Sequence, residues 1–266
     1  MLQQIIDLEA EGKALFGTLS KRPDADFARV TAFKEWTIAD VLRHLHIGDT
    51  MAELSVTDPD AFQRFLGDTR SKRAAGISPR DDARARFGYL DGQVLLNAWH
   101  AKLDSLIARL AAKSPDARLK WAGPDMGVRM FATARQMEIW AHGQEVYDVL
   151  GLERTATDRL RNIAEIGVRT FGWTFVNRGL QAPTDLPHVR LTAPSGDIWE
   201  WNPASNSDRV EGSALEFAQV VTQVRNIADT RLVVAGGTAQ AWMAIAQCFA
   251  GPPETPPAPG TRRAVS

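Results

Sequence analysis

The chain has 266 residues, of which 44% are hydrophobic and 24% charged, a composition typical of a globular protein with one large core or, more in keeping with this length, two smaller domains. Lys and Arg total 31 against 32 Asp and Glu, so no sequence-wide positive field attracts nucleic acid or anionic lipid. The only cysteine, Cys248, has no disulfide partner within the chain, and no segment resembles a signal peptide or a membrane span, so we expect a cytoplasmic protein.

Hydrophobic residues at helical spacing predict four helices in the first 155 residues. The first helix runs from residue 2 and ends before Pro23, and the second begins at Thr37. The third and fourth cover residues 94–110 and 127–150. The four residues 37–40 have the form of a capping box, and Gly151 is placed to end the fourth helix. Residues 57–87 are charged and interrupted by Gly and Pro, which indicates a surface connection with one short helix. Four antiparallel helices are the natural arrangement.

Beyond Gly151 the pattern changes to a mixture of helices and short strands. It predicts a long helix over 158–178 and two strands, over 188–193 and 198–201, joined by a turn. A helix over 213–227, a strand over 231–234 and a last helix over 238–249 follow. The predicted domains are a helical bundle over 1–155, a small α+β domain over 156–250 and a flexible Pro-rich tail over 251–266.

The fourth predicted helix carries acids and a histidine on its apolar face. Glu138, His142 and Glu145 share the face on which Phe131 and Val149 lie. Burying an unpaired carboxylate costs several kcal/mol, so this face needs a compensating charge or a water-filled cavity. A metal ion supplies such a charge, and Glu138 and His142 are one helical turn apart, so both can reach one ion.

A further ligand has to come from another helix, and the second helix offers His44 and His46. Both lie about 100° from the centre of that helix's apolar stripe, on opposite sides, so periodicity does not choose between them. Asp40, one turn before His44, could orient its imidazole, which mildly favours His44.

The segment Trp36-Thr37-Ile38-Ala39-Asp40-Val41-Leu42-Arg43-His44-Leu45 resembles the Trp-Thr-x-x-Asp-x-x-x-His-Leu signature of the DinB-like superfamily. The chain is similar to its mycothiol-dependent maleylpyruvate isomerase branch, and residues 121–124 and 133–143 resemble a subgroup of uncharacterised metal-binding members. The resemblance implies an α+β chain, with an amino-terminal DinB-like four-helix bundle followed by a small α+β domain. It also implies a metal site of His44, Glu138 and His142.

Two further residues take their expected roles from the same resemblance. Glu145 matches an additional acid of the branch, where aspartate is more common, and we interpret it as a candidate catalytic base. The segment 209–212 and the helix around 221–225 resemble the small carboxy-terminal domain of these enzymes. There Arg225 matches an arginine that could bind an anionic cofactor, although Val224 replaces the usual glycine.

Two imidazoles and one carboxylate leave a coordination position open, which is typical of a catalytic zinc ion. We therefore expect a divalent metal, zinc, and a small-molecule substrate. The resemblance adds mycothiol or another low-molecular-weight thiol and an isomerase or transferase reaction. The alternatives are a hydrolase that activates water and a non-catalytic metal-binding or ligand-sensing protein. Trp36, Trp121 and Trp140 are candidates for the pocket wall, and the protein is expected to be a monomer or a homodimer.

Overall fold

The computed structural model describes residues 1–205 and 207–262, and its architecture is α+β. The chain divides into two compact units, the first over Met1–Val149 and the second beginning at Leu150. Within the described residues, no helix combines the length and the apolar character needed to cross a membrane.

Helices make up most of the first unit. They are α1 (Gln3–Leu19), α2 (Ile38–Thr57), α3 (Pro59–Ala74), α4 (Pro79–Phe87), α5 (Gly92–Ala111) and α6 (Val128–Leu150), and a short antiparallel pair, β1 (Arg118–Leu119) and β2 (Met126–Gly127), precedes α6. The four long helices α1, α2, α5 and α6 occupy the segments that the hydrophobic spacing predicts. Each buries an apolar stripe, which includes Leu8 and Leu15 on α1, Val41 and Leu42 on α2, Leu95 and Leu106 on α5, and Phe131 and Val146 on α6. Each fully buried side chain of this kind contributes roughly 1.5–3 kcal/mol.

The ends of α2 and α6 confirm two predictions from the sequence. Thr37 Oγ1 accepts a hydrogen bond from the Asp40 N–H (3.1 Å), and the Asp40 carboxylate accepts one from the Thr37 N–H (3.1 Å). This is a complete capping box, and it satisfies two backbone donors at the start of α2. Gly151 follows α6 with a φ of 65°, the left-handed conformation that ends helices.

The prediction for residues 57–87 is wrong, because this segment forms two helices. Asp58 caps α3 by accepting from the Ala61 N–H, and Ser78 caps α4 by accepting from the Asp81 N–H. A proline follows each cap, where its missing N–H costs nothing. These start signals are present in the sequence, but few side chains of α3 and α4 are buried, so the hydrophobic spacing is weak.

In the second unit, α7 (Leu160–Arg169), α8 (Phe171–Val176), α9 (Ala214–Val221) and α10 (Gly237–Met243) accompany a four-stranded sheet. Its strands are β3 (His188–Thr192), β4 (Ile198–Trp201), β5 (Arg209–Ser213) and β6 (Val233–Ala235), in the order β4-β3-β5-β6. β3 pairs antiparallel with β4 and parallel with β5, and β5 pairs antiparallel with β6.

Several boundaries in the second unit differ from the prediction. The predicted helix over 158–178 is interrupted at Thr170, whose hydroxyl bonds the carbonyls of Ile166 and Gly167. The helices predicted over 213–227 and 238–249 are shorter, and strand β5 was not predicted. Arg209 and Glu211 flank the one buried apolar residue of β5, Val210, so this strand resembles a polar loop in sequence.

Hydrogen bonds join the described part of the Pro-rich segment to the rest of the second unit. Gln223 donates to the Glu254 carbonyl (3.1 Å), Asn226 donates to the Pro257 carbonyl (2.8 Å), and the Gly260 N–H donates to the Asp229 carboxylate. These contacts give residues 252–260 defined partners. The mobility predicted for 251–266 stays a prediction, and residues 263–266 lie outside the described part.

Candidate metal centre

Three side chains from two helices of the first unit converge at one point. His44 lies on α2, and Glu138 and His142 lie one turn apart on α6. The Glu138 Oε2 atom is 3.3 Å from His44 Nε2 and 3.6 Å from His142 Nε2. One ligand atom from each residue lies within 4.8 Å of the other two. The structure therefore brings together the three residues that the sequence and the resemblance select.

The two separations measured from Glu138 are compatible with a shared zinc ion. Zinc bonds of about 2.0–2.2 Å in a tetrahedron place neighbouring ligand atoms about 3.3–3.6 Å apart. Both distances from Glu138 Oε2 lie in that range, and two imidazoles with one carboxylate are a donor set that suits zinc. The His44 and Glu138 side chains are 28% and 24% exposed, so the cluster is accessible from solvent.

The surroundings of Glu138 favour its ionised form. Burial alone would raise the pKa of its carboxyl. The hydrogen bond with His44 and the charges of His44, His142 and Arg135 outweigh burial and lower this pKa to about 2. Glu138 is therefore anionic at neutral pH, which is the form that cation binding requires.

Two aromatic rings from the segment before α2 enclose both histidines. Trp36, which is buried, lies parallel to His142 with an interplanar angle of 3° and meets His44 edge-on at 5.4 Å between centroids. Phe33 meets His142 edge-on at 5.1 Å. Trp36 thus lies next to both histidines of the cluster.

A buried ion pair lies one turn before Glu138. Arg135 Nε donates to Asp49 Oδ1 (2.9 Å), and Trp99 Nε1 donates to the other oxygen of the same carboxylate (3.0 Å). Burial raises the pKa of Asp49, and Arg135 acts in the opposite direction. Gly48 leaves room for this pair, because a Cβ there would lie 2.8 Å from Arg135 Nη2. Sequence reasoning missed this pair, although Gly48 and Asp49 interrupt the pattern of α2.

Asp40 does not have the role that the sequence suggested. Its carboxylate completes the capping box and accepts two hydrogen bonds from Arg84, at 2.7 Å each, with Arg43 at 3.5 Å. Arg84 and the helix start, not the His44 imidazole, are therefore the partners that the structure gives to Asp40. The hypothesis that Asp40 orients His44 is wrong.

His46 lies outside the cluster of His44, Glu138 and His142. It is buried and packs edge-on against Phe87, with 4.3 Å between ring centroids. Burial, with a smaller contribution from Lys102, lowers the pKa of His46 to about 4. The structure thus places His44, and not His46, in the cluster with Glu138 and His142.

The remaining candidates lie elsewhere. Glu145 is buried on α6, about one turn after His142, and is not part of the three-residue cluster found among the described residues. Its role as a base stays a prediction. Arg225 follows α9 in the second unit and donates to the Val224 carbonyl (3.0 Å), so anion binding there also stays a prediction. The Trp121 ring packs between those of Phe62 and Phe131.

Known proteins are similar to this chain in sequence. The family model of the mycothiol maleylpyruvate isomerase N-terminal domain matches residues 8–147. Uncharacterised proteins of Mycobacterium tuberculosis strains CDC 1551 and H37Rv are each 38% identical over 249 residues, which is 94% of this chain and 96% of theirs.

Two solved structures are similar in fold. The crystal structure of the mycothiol-dependent maleylpyruvate isomerase has a TM-score of 0.52 and 16% identity, over 82% of this chain and 87% of that chain. A histidine-to-alanine mutant of that enzyme covers the same shares at the same identity, with a TM-score of 0.51. Because the family model matches residues 8–147, which is more than half of the chain, the chain belongs to the mycothiol maleylpyruvate isomerase N-terminal domain family.

Proposed function

We propose that this chain is a metal-dependent enzyme in which His44, Glu138 and His142 hold one divalent cation, zinc, and in which a low-molecular-weight thiol of the mycothiol type takes part in an isomerase or transferase reaction. The observation that carries the proposal is the solvent-accessible cluster, whose Glu138 separations of 3.3 and 3.6 Å match the edges of a zinc tetrahedron. The family, which includes a mycothiol-dependent isomerase, supports the thiol.

Accessibility favours catalysis over storage or purely structural binding. A structural zinc site usually has four protein ligands, whereas three leave a position for a small molecule. Among the described residues, no other His, Cys, Asp or Glu joins His44, Glu138 and His142 in this cluster. With His44 28% exposed, a thiol can reach this position from solvent. A fully enclosed cluster would instead have favoured a non-catalytic metal-binding protein.

The chemistry follows from the charges around that position. A bound divalent cation lowers the pKa of a neighbouring sulfhydryl and so makes a thiolate available at neutral pH. Glu138 supplies one negative charge, and Trp36 and Phe33 shield the imidazoles. We propose that Glu145 accepts a proton. Addition of the thiol to an activated double bond would allow rotation about that bond, and elimination would then return the thiol.

Counting protons tests this proposal. After metal analysis of the purified protein, mycothiol or glutathione is titrated into the zinc-loaded form by calorimetry in buffers of different ionisation enthalpy. A free thiol has a pKa of about 8.5, so ionisation at the site should release close to one proton per site at about pH 7. If both thiols fail to bind, or bind with no proton release, the thiol mechanism is wrong and a water-activating hydrolase becomes the better hypothesis.

Two variants separate the metal from the thiol in the same experiment. Glu138→Gln should weaken metal retention and reduce proton release, because the anionic ligand is lost. Arg225→Ala should retain the metal and weaken only the binding of an anionic thiol or substrate. Equal metal loss in both variants would contradict these assignments.

A further inference from the structure

A tight turn lies between α1 and α2 and carries both aromatic rings that pack next to the site. The Trp36 N–H donates to the Phe33 carbonyl (2.9 Å), and the Thr31 N–H donates to the Trp36 carbonyl (2.8 Å). Lys34 and Glu35, the two central residues, have φ values of 50° and 56°. This pattern is typical of a type I′ turn, which favours Asn and Gly at these positions.

The turn therefore adopts a conformation that its own residues disfavour. Left-handed backbone conformations cost side-chain-bearing residues roughly 1–2 kcal/mol each. Such strain persists where the surrounding contacts over-determine the conformation. The contacts here are at the ends of the turn, where Phe33 and Trp36 pack against each other with 5.0 Å between centroids.

The residues at both ends of the turn lie next to the imidazole rings of the site. The Trp36 ring lies parallel to that of His142, with 6.0 Å between centroids, and meets His44 edge-on. Phe33 meets His142 edge-on. Thr37, the next residue, caps the helix that carries His44. A histidine ring that ligates a metal needs a fixed plane, which neighbouring side chains usually set. His44 and His142 also contact Glu138 and each other.

We propose that the Phe33–Trp36 turn is the positioning element of the metal centre, with Trp36 and Phe33 as positioning residues that hold the His44 and His142 rings in the planes needed for coordination. This inference rests on the proposed metal function and goes beyond it by assigning the orientation of two ligands to a strained loop outside both helices. The two aromatic rings restrict imidazole rotation by packing.

The experiment compares Trp36→Leu with Trp121→Leu, which removes an indole from the same unit where it packs against Phe62 and Phe131. Zinc affinity is measured by competition with a chelator, and folding is checked by circular dichroism. Trp36→Leu should weaken zinc binding by about 10–100-fold, and Trp36→Phe should restore most of it. Trp121→Leu should bind zinc about as tightly as the wild type. Unchanged zinc affinity in a folded Trp36→Leu variant would overturn the proposal.

A second measurement does not depend on the metal. In the metal-free protein, NMR cross-peaks from the His142 ring should indicate one rotamer in the wild type and averaging in Trp36→Leu. If the wild type binds no zinc, the proposed function fails, and this measurement alone decides whether the turn positions the rings. If Trp36→Leu does not fold, Phe33→Leu replaces it. It should then show the same averaging and a smaller loss of zinc affinity, and the absence of both effects would refute the proposal.

Discussion

Among individual residues, His44 and His46 have different environments although they are two positions apart on α2. His44 contacts Glu138, whereas His46 packs against Phe87. We predict that His44→Ala abolishes stoichiometric zinc, because a ligand is lost while the apolar stripe of α2 stays intact. His142→Ala should do the same. His46→Leu, which keeps most of the packing volume, should retain zinc. Metal analysis after gel filtration measures all three, and equal metal loss from the His46 variant would show that both histidines coordinate.

The Asp40–Arg84 pair makes a prediction about pH. Burial raises the pKa of Asp40, but the hydrogen bonds from Arg84 and Thr37 outweigh it and leave this pKa below its usual value of 3.8. A folded-state pKa below that of the unfolded chain adds stability above the unfolded value, and this stability is lost as the pH falls through the folded value. Replacing Arg84 should remove most of the contribution.

We therefore expect Arg84→Met to lower the free energy of unfolding by about 1–2 kcal/mol at neutral pH, since the half-exposed guanidinium makes two charge-assisted hydrogen bonds. The difference from the wild type should shrink as the pH falls through the lowered pKa of Asp40, below which this carboxyl is protonated in both proteins. Urea denaturation at several pH values measures it. A difference that stays constant down to acidic pH would rule out Asp40 as the cause.

Among the structural elements, the turn before α2 offers a gain in stability. Glu35 is exposed and has a φ of 56°. Glu35→Gly should raise the free energy of unfolding by about 0.5–1 kcal/mol, because relief of left-handed strain exceeds the entropy that glycine adds to the unfolded chain. Thermal denaturation measures the shift, with Glu9→Gly in α1 as a control that should destabilise. A lower melting temperature for Glu35→Gly would show that the turn is not strained.

How much of each element could be predicted depends on how much its residues are buried. Thr37 and Asp40 define the start of α2 by local hydrogen bonds alone, so the sequence predicts it well. Helix α3 buries only Phe62 and Leu66, so its main sequence signal is the cap residue Asp58 followed by a proline. Strand β5 is specified by its parallel pairing with β3, a contact between distant segments that no local pattern encodes.

The same distinction applies to the candidate site, where some features have a local sequence signal and others depend on contacts between distant segments. The one-turn spacing of Glu138 and His142 predicts that they share an ion, but His44 and His46 were equivalent by periodicity until the resemblance distinguished them. The Asp49–Arg135 pair joins α2 to α6. The interruption of the α2 pattern at Asp49 does not identify its partner, because Arg135 alone resembles an ordinary surface charge.

At the scale of the whole molecule, a bound ion would connect α2 with α6 inside the first unit. A ligand that binds only the folded state adds about 2.7 kcal/mol of stability when its free concentration is about 100 times its dissociation constant. We predict that chelation lowers hydrogen-exchange protection of α2 and α6, while amides of β3 in the second unit keep theirs. The His142→Ala variant should lack the response. Equal loss of protection in both units would contradict a local effect of the metal.

The spacing of the ligands along the chain also sets the order in which the centre can form during synthesis. His44 precedes Glu138 by 94 positions. At translation rates of about 5–20 residues per second, the ribosome makes His44 roughly 5–20 s before Glu138. Glu138 and His142 then emerge almost together on one helix. A nascent chain therefore holds a single isolated ligand until α6 is made, and the remaining two arrive in one step with the docking of that helix. Binding of the metal by all three residues would therefore require that α6, the last helix of the first unit, has docked against the helices made before it.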